Sequence, residues 1–287
     1  MENYINIFIP TDKNNLKILE LLKNDKLLKI NLCVKSELDD NKIFDNLKNN
    51  KQINIIRLGY NLKTLGEMKQ NIINYCNKNN YEFCPLFNDN IISLYSYDNE
   101  KIKCSELIKN SINLIQSDKL NKYIAGFIFI NQNKEKTIKS YSYLSILPKG
   151  AYILNIKNII KNNISFKSSN IYGFEEINFF IDCLKNGLIF IDKANYNFKD
   201  IYNIKENNKI LKLTTTQTIL SLNYLNNIFG ITVGYKYSKR LNKQHMYITP
   251  DLNYFRDVLV YNREKNKNII LNNFNIMKCI DEVYIKD

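Results

Sequence analysis

Apolar residues in this chain fall in short continuous runs, and stretches of helical period lie between them. Ile5-Asn-Ile-Phe-Ile-Pro10 reads as a buried strand stopped by a proline. Thr11 and Asp12 are residue types that open helices, and Leu16, Ile18, Leu19, Leu21 and Leu22 would form the inner face of one. Ile30-Asn-Leu-Cys-Val34 is a second strand, with Lys35-Ser-Glu37 at its carboxyl end, and Ile53-Asn-Ile-Ile-Arg-Leu58 is a third. The spacing predicts a helix over 65–75 that buries Met68, Ile72, Ile73 and Tyr75. Strands alternating with helices in this way predict a parallel sheet with ligands at the carboxyl ends of its strands.

Tyr81 to Phe87 reads as a further strand, interrupted at Asn88-Asp89-Asn90 and resumed at Ile91-Ile-Ser-Leu94. Oxygen-bearing side chains at such a strand end suit a turn, and they equally suit Mg²⁺ or Mn²⁺ shared with substrate phosphates. A helix over 105–114 follows, then a strand over 123–130. Lys149-Gly150 precedes another strand, and a short helix covers 156–160. From Gly173 to Gly187, the residues Phe174, Ile177, Ile181 and Leu184 recur at helical spacing. Gly187 stands where a left-handed cap would end that helix, and an apolar run over 188–192 comes next. Glu175 and Glu176 occupy the first turn. There they either stabilise the helix through its dipole or form a displayed acid pair.

Beyond Phe198 a helix is predicted over 215–229, capped by Gly230. Tyr235-Lys-Tyr-Ser-Lys-Arg240 interleaves aromatic and basic residues, which suits stacked bases and phosphates or a solvated strand edge. His245 lies in a polar stretch, either as a surface residue or as a metal ligand. No repeat or low-complexity linker divides the chain. Composition alone suggests a core over 1–198 and an extension packed on it over 199–287.

Composition narrows the function classes. The chain carries 41 Lys and Arg against 28 Asp and Glu, a formal net charge of +13, which suits a polyanionic partner and equally a genome whose AT-rich codons supply many of the lysines. Its 6 Cys form no CxxC pair and fall mostly in apolar runs, as buried thiols do, and with 1 His a structural zinc site is disfavoured. Neither GxGxxG nor GxxxxGK[ST] occurs, which removes the dinucleotide fingerprint and the phosphate loop. The start of the chain lacks a signal-peptide pattern, and no apolar run reaches the ~20 residues of a membrane span. A cytoplasmic location is expected.

The order of these pieces, from about residue 5 to residue 250, resembles GT-A nucleotide-sugar glycosyltransferases. The closest look is to the viral TET-associated and base-J-type enzymes that glycosylate hydroxymethylated pyrimidines in DNA. The resemblance implies an α/β fold: a single GT-A (Rossmann-like) domain with a mainly parallel central sheet flanked by helices, and a helical or irregular C-terminal extension. Pro10-Thr11-Asp12 stands where the family has a Pro-Ser-Arg-like turn under the nucleotide, without the arginine. Gly66-Glu-Met-Lys69 matches a Gly-x-x-Arg helix with lysine as its cation. Asn88-Asp89-Asn90 keeps one acid of the metal cluster. Pro148-Lys-Gly-Ala151 matches a wall beside donor and acceptor, and Gly173-Phe-Glu-Glu-Ile-Asn-Phe179 matches Gly-Phe-Glu-Asp-x-Asp-Phe.

The resemblance implies Glu176 as base, with Glu175 holding acceptor or sugar hydroxyls. Pro10, Thr11, Lys35, Glu37, Lys69 and Gly150 would line the donor, a UDP-sugar in the first instance. Asp89, Asn90 and His245 would hold Mg²⁺ or Mn²⁺, with low affinity or dispensably, because two asparagines replace acids. Tyr235, Tyr237, Lys239 and Arg240 would contact DNA. A viral member would work in the host cytoplasm. Two alternatives stand beside this reading: a GT-A enzyme acting on a glycan or lipid-linked acceptor, and a catalytically degenerate nucleic-acid-binding module.

Overall fold

The apolar runs assemble into a nine-stranded mixed sheet in the computed structural model, which describes residues 4–11, 16–36, 47, 50–95, 102–118, 120–131, 141–143, 150–166, 175–200, 232–238, 243–249 and 281–283. In chain order the elements are β1 (Ile5–Pro10), α1 (Lys17–Leu22), β2 (Leu28–Val34), β3 (Ile53–Arg57), α2 (Leu65–Lys78), β4 (Phe83–Phe87), β5 (Ile91–Tyr95) and α3 (Cys104–Ser117). They continue as β6 (Ile124–Asn131), β7 (Tyr141–Tyr143), β8 (Ala151–Asn155), α4 (Ile156–Lys161), α5 (Glu175–Lys185) and β9 (Ile189–Asp200). The sheet order is β3-β2-β1-β4-β8-β6-β9-β5, with β7 beside β9. β1, β2, β3, β4, β6 and β9 run one way, and β5, β7 and β8 run against them. This is a Rossmann-like α/β fold, as the alternation predicts.

Both faces of the sheet are covered. The Phe8 ring meets Tyr75 of α2 and Tyr81 edge-on, so that side of β1 packs under α2. Ile7 and Ile9, which alternate with Phe8, are fully buried on the opposite side. There Asp25, just after α1, accepts from the backbone N–H and the hydroxyl of Ser105, both at 2.7 Å. This remote carboxylate caps α3, whose own N-cap Lys103 makes no capping bond. Asp25→Ala is expected to destabilise the fold by about 1–3 kcal/mol, because two buried donors lose their acceptor. A lower urea midpoint at unchanged slope would check this.

Register in the outer strands is pinned by an amide ladder. Asn54 donates to Asn31 and Asn31 donates to Asn6, each at 3.1 Å across neighbouring strands. The five described cysteines are buried thiols, as their apolar surroundings predict.

Several boundaries differ from the sequence pattern. α1 begins at Lys17 with Leu16 at its N-cap, so Thr11 does not cap it. α2 runs on to Lys78 and opens with a capping box in which Thr64 and Glu67 bond each other's backbone. The run predicted over 188–192 is the start of the twelve-residue β9, which ends at Asp200. β7 carries no pattern that distinguishes it from a loop. Beyond 200, the described residues form a separate antiparallel sheet of β10 (Thr232–Ser238), β11 (Lys243–Thr249) and β12 (Asp281–Val283), where a helical or irregular extension was expected. The helix predicted over 215–229 lies outside the described residues. Among those described, no helix is long and apolar enough to cross a membrane.

What positions the site is the order of connections. β2 and β3 extend the sheet to one side of β1, and the chain then passes through α2 and adds β4 on the other side. Successive connections diverge between β1 and β4, which leaves a crevice beyond their carboxyl ends.

Candidate active site

Thr11 directly follows β1, and its N–H continues the ladder by donating to Cys33 carbonyl at 3.0 Å. That bond aims the Thr11 hydroxyl across the crevice, where it donates to Asp89 Oδ2 at 3.0 Å. Asp89 stands just past the end of β4. The two strands that diverge at the switch point are thus joined at their tips by an acid and a hydroxyl. The Asn88 N–H donates to Gly150 carbonyl at 2.6 Å, tying the same loop to the start of β8. Gly150 has φ +72°, and a Cβ there would lie 3.2 Å from the Phe198 ring and 3.6 Å from Asn88 Nδ2. Only glycine takes this turn without strain while letting the loop sit so close. Among the described residues, Asn90 Oδ1 is buried without a hydrogen-bond partner.

A second cluster lies at the same edge. α2 follows β3 and α5 precedes β9, so both helices start at the carboxyl edge of the sheet. A Cβ on Gly66 would come within 2.9 Å of Glu175 Cβ, so the first turns of α2 and α5 are in close contact. The Lys69 ammonium is fully buried and pairs with Glu176 Oε1. It lies 5.4 Å from the centre of the Tyr152 ring and 5.9 Å from that of Phe166. Tyr152 OH donates to the same Glu176 Oε1 at 3.3 Å. Burial above all, and then the Glu176 charge, push the Tyr152 hydroxyl well above the ordinary phenol range. It stays protonated and can only donate to that carboxylate.

β8 bridges the two clusters. Gly150 touches the Asn88 loop, and Tyr152, two residues further along the strand, touches Glu176. The pairing of Phe87 with Ala151 and of Leu86 with Tyr152 carries the first cluster's strand alongside the second's. Phe166 stacks on Phe179 of α5 with centroids 4.1 Å apart, so the helix bearing Glu176 also helps wall the lysine. Glu175 is 5% exposed, and Asn178, one turn on, is fully buried with neither amide atom hydrogen-bonded among the described residues. Gly187 follows α5 with φ +69°, in the left-handed conformation expected of its cap.

No protein-family model matches the chain, and no curated protein matches it in sequence. Solved structures do resemble it. It is similar to S. aureus TarS 1–349 at 12% identity, over 94% of this chain and 73% of that one, with a TM-score of 0.46. The same TarS fragment in complex with UDP gives 11% identity, 92% and 72% coverage and a TM-score of 0.47. A Desulfovibrio desulfuricans G20 protein named as a nucleotide-diphospho-sugar transferase gives 11% identity, 78% and 96% coverage and a TM-score of 0.42. These are likenesses of overall shape; the functional reading rests on the site.

Of the residues singled out from sequence, Thr11 and Asp89 meet directly, Gly150 adjoins them through Asn88, and Lys69 meets Glu176. Pro10 ends β1 and pairs with Cys33, and half-buried Lys35 follows β2 on the same edge. Tyr235 and Tyr237 lie on β10 opposite Met246 and Gln244, while His245 lies on β11 opposite Lys236. Glu37, Lys239 and Arg240 lie outside the described residues. Among those described, no three His, Cys, Asp or Glu side chains gather to hold a metal. The Asp89 carboxylate with Asn90 Oδ1 fits a divalent cation only where diphosphate oxygens supply the remaining ligands.

Tyr152 and Phe166 are site residues that the sequence reading missed. Tyr152 sits inside an apolar run with nothing to mark it. A signal did exist at Lys69, which falls in the 69-72-73-76 stripe that α2 buries.

Proposed function

We propose that this chain is a glycosyltransferase that moves a sugar from a nucleotide-sugar donor to a hydroxyl acceptor. The observation that carries the reading is the Thr11–Asp89 bond across the β1/β4 switch point, with an acid-bearing helix start at the same edge. An α/β sheet places its ligand in that crevice. A carboxylate there addresses a diphosphate through Mg²⁺ or Mn²⁺, which when bound supplies positive charge to the departing phosphate oxygens. In the transfer, the acceptor oxygen bonds to the sugar's anomeric carbon. The bond from that carbon to the diphosphate breaks, and its electron pair leaves with the phosphate oxygen. The acceptor proton passes to Glu176, and Glu175 orients hydroxyl groups beside it.

The finer reading takes a hydroxymethylated pyrimidine in DNA as acceptor and a UDP-sugar as donor. The net charge of +13 and the aromatic–basic run over 235–240 support it, since both suit a phosphate backbone and a displaced base. Melting curves with a panel of nucleotide sugars, with and without Mn²⁺, test the donor. Mass spectrometry of treated hydroxymethylated DNA tests the acceptor. A Mn²⁺-dependent rise in Tm with one donor and a hexose mass increment on DNA are the expected results. A donor-dependent shift with no product on DNA favours a glycan or lipid-linked acceptor. DNA binding with no shift from any donor favours the catalytically degenerate binding module that Asn88, Asn90 and Asn178 suggest.

Gly66→Ala tests whether the α2–α5 contact sets the acid pair. The added methyl group collides with Glu175 Cβ at 2.9 Å, so the first turn of α5 must shift. A displacement near 1 Å is expected to lower kcat by about a hundredfold while the chain still folds. Steady-state kinetics beside a melting curve would separate the two effects.

A further inference from the structure

The side chain of Lys69 is 0% exposed and that of Glu176 is 21% exposed, so the lysine lies behind the acid as seen from solvent. Among the described residues the ammonium has one hydrogen-bond acceptor, Glu176 Oε1, and two ring faces, Tyr152 and Phe166. An ammonium has three protons, and a buried one requires a counter-charge. Here a carboxylate satisfies one proton, and the negative faces of two rings shield the rest of the charge. Nothing of Lys69 is left at the surface for a diphosphate to reach.

We propose that Lys69 is a positioning residue for Glu176 and makes no contact with the donor diphosphate. The inference rests on the glycosyl-transfer reading and deepens it. Lys69 and Tyr152 converge on the same oxygen, Oε1, and come from two different elements, α2 and β8. Two donors from rigid supports fix the carboxylate's rotation about its last bond. Oε2, which makes no hydrogen bond among the described residues, is the oxygen turned to the acceptor hydroxyl. The stack of Phe166 on Phe179 locks the lysine's wall to α5, the element that carries Glu176. Charge, hydrogen bonds and packing all serve the orientation of one acid.

Lys69→Met keeps the length of the buried stem and removes the charge. The expected result is a fall in kcat of about a hundredfold with donor KM within about threefold of wild type and the donor-induced melting shift retained. A donor KM raised about tenfold or more, with that shift lost, would assign Lys69 to the diphosphate and overturn the proposal. An unchanged kcat would overturn it equally. Should Lys69→Met fail to fold, Tyr152→Phe removes one of the two donors to Oε1 and is expected to lower kcat by about tenfold at constant donor KM. No effect there counts against the proposal. If wild type turns over no donor at all, the glycosyl-transfer reading fails by itself. A double-mutant cycle of Lys69→Met and Glu176→Gln on Tm then decides whether the lysine serves the acid: coupling keeps the pair, and additivity rejects it.

Discussion

Glu176→Gln is expected to lower kcat for sugar transfer by about a hundred- to ten-thousand-fold, the range set by losing a positioned general base. The amide keeps an oxygen that can accept from Lys69 and Tyr152, so the side chain stays in place while its proton affinity disappears. Donor binding should persist, because the proposed diphosphate site lies at Asp89, at the tips of β1 and β4, and Asp89 belongs to the other cluster. Stability should fall as well. Lys69 would be left buried without its paired carboxylate, and breaking a buried pair costs about 3–5 kcal/mol, less here because Glu176 is partly exposed. Kinetics well below the variant's Tm, with a donor melting shift as control, separate lost chemistry from lost folding. Turnover within a few-fold of wild type would remove Glu176 from the base role.

Asp89→Ala is expected to abolish the Mn²⁺-dependent part of the donor melting shift and to lower kcat/KM by about a hundredfold to a thousandfold. The physical reason is the poverty of the site. Asn88 and Asn90 carry no charge, so Asp89 is the one acid of its triplet able to hold a cation against the diphosphate. The variant also strips Thr11 of its acceptor, which loosens the join between the tips of β1 and β4. Asp89→Asn separates these effects, since it keeps a hydrogen-bond acceptor for Thr11 and removes the charge. If Asp89→Asn matches wild type in Mn²⁺ response, the acid does not hold a metal, and the donor-site assignment fails with it.

Much of the architecture was legible because buried strands and amphipathic helices each leave a period in the sequence. β1 to β4, α2 and α3 all fall where apolar spacing put them, within a few residues at their ends. The misreadings have separate physical causes. Thr11 looks like a helix cap because the cap preference is local, yet its hydroxyl was claimed by an acid 78 residues away. β9 runs eight residues past its apolar start, which ends at Asp192, because partners in β5 and β6 extend its pairing, a gain invisible in the strand's own residues. β7 has three residues and pairs only with β9, too little for any periodicity to show.

The candidate site divides along the same line. Asp89 at a strand end and Glu175 and Glu176 at a helix start are local features, and the sequence alone determined that they exist and stand at element ends. The sequence put Lys69 beside the donor, and the structure buries it in the inner face of α2. Only the tertiary structure decided which of these groups meet. Thr11 reaches Asp89 because β1 and β4 are neighbours, and Lys69 reaches Glu176 because α2 and α5 start at one sheet edge. Tyr152 reaches the same carboxylate because β8 runs antiparallel beside β4. A hydrogen bond spans about 3 Å, whereas these partners lie from 24 to 107 residues apart, so strand order and helix placement determine which groups can pair.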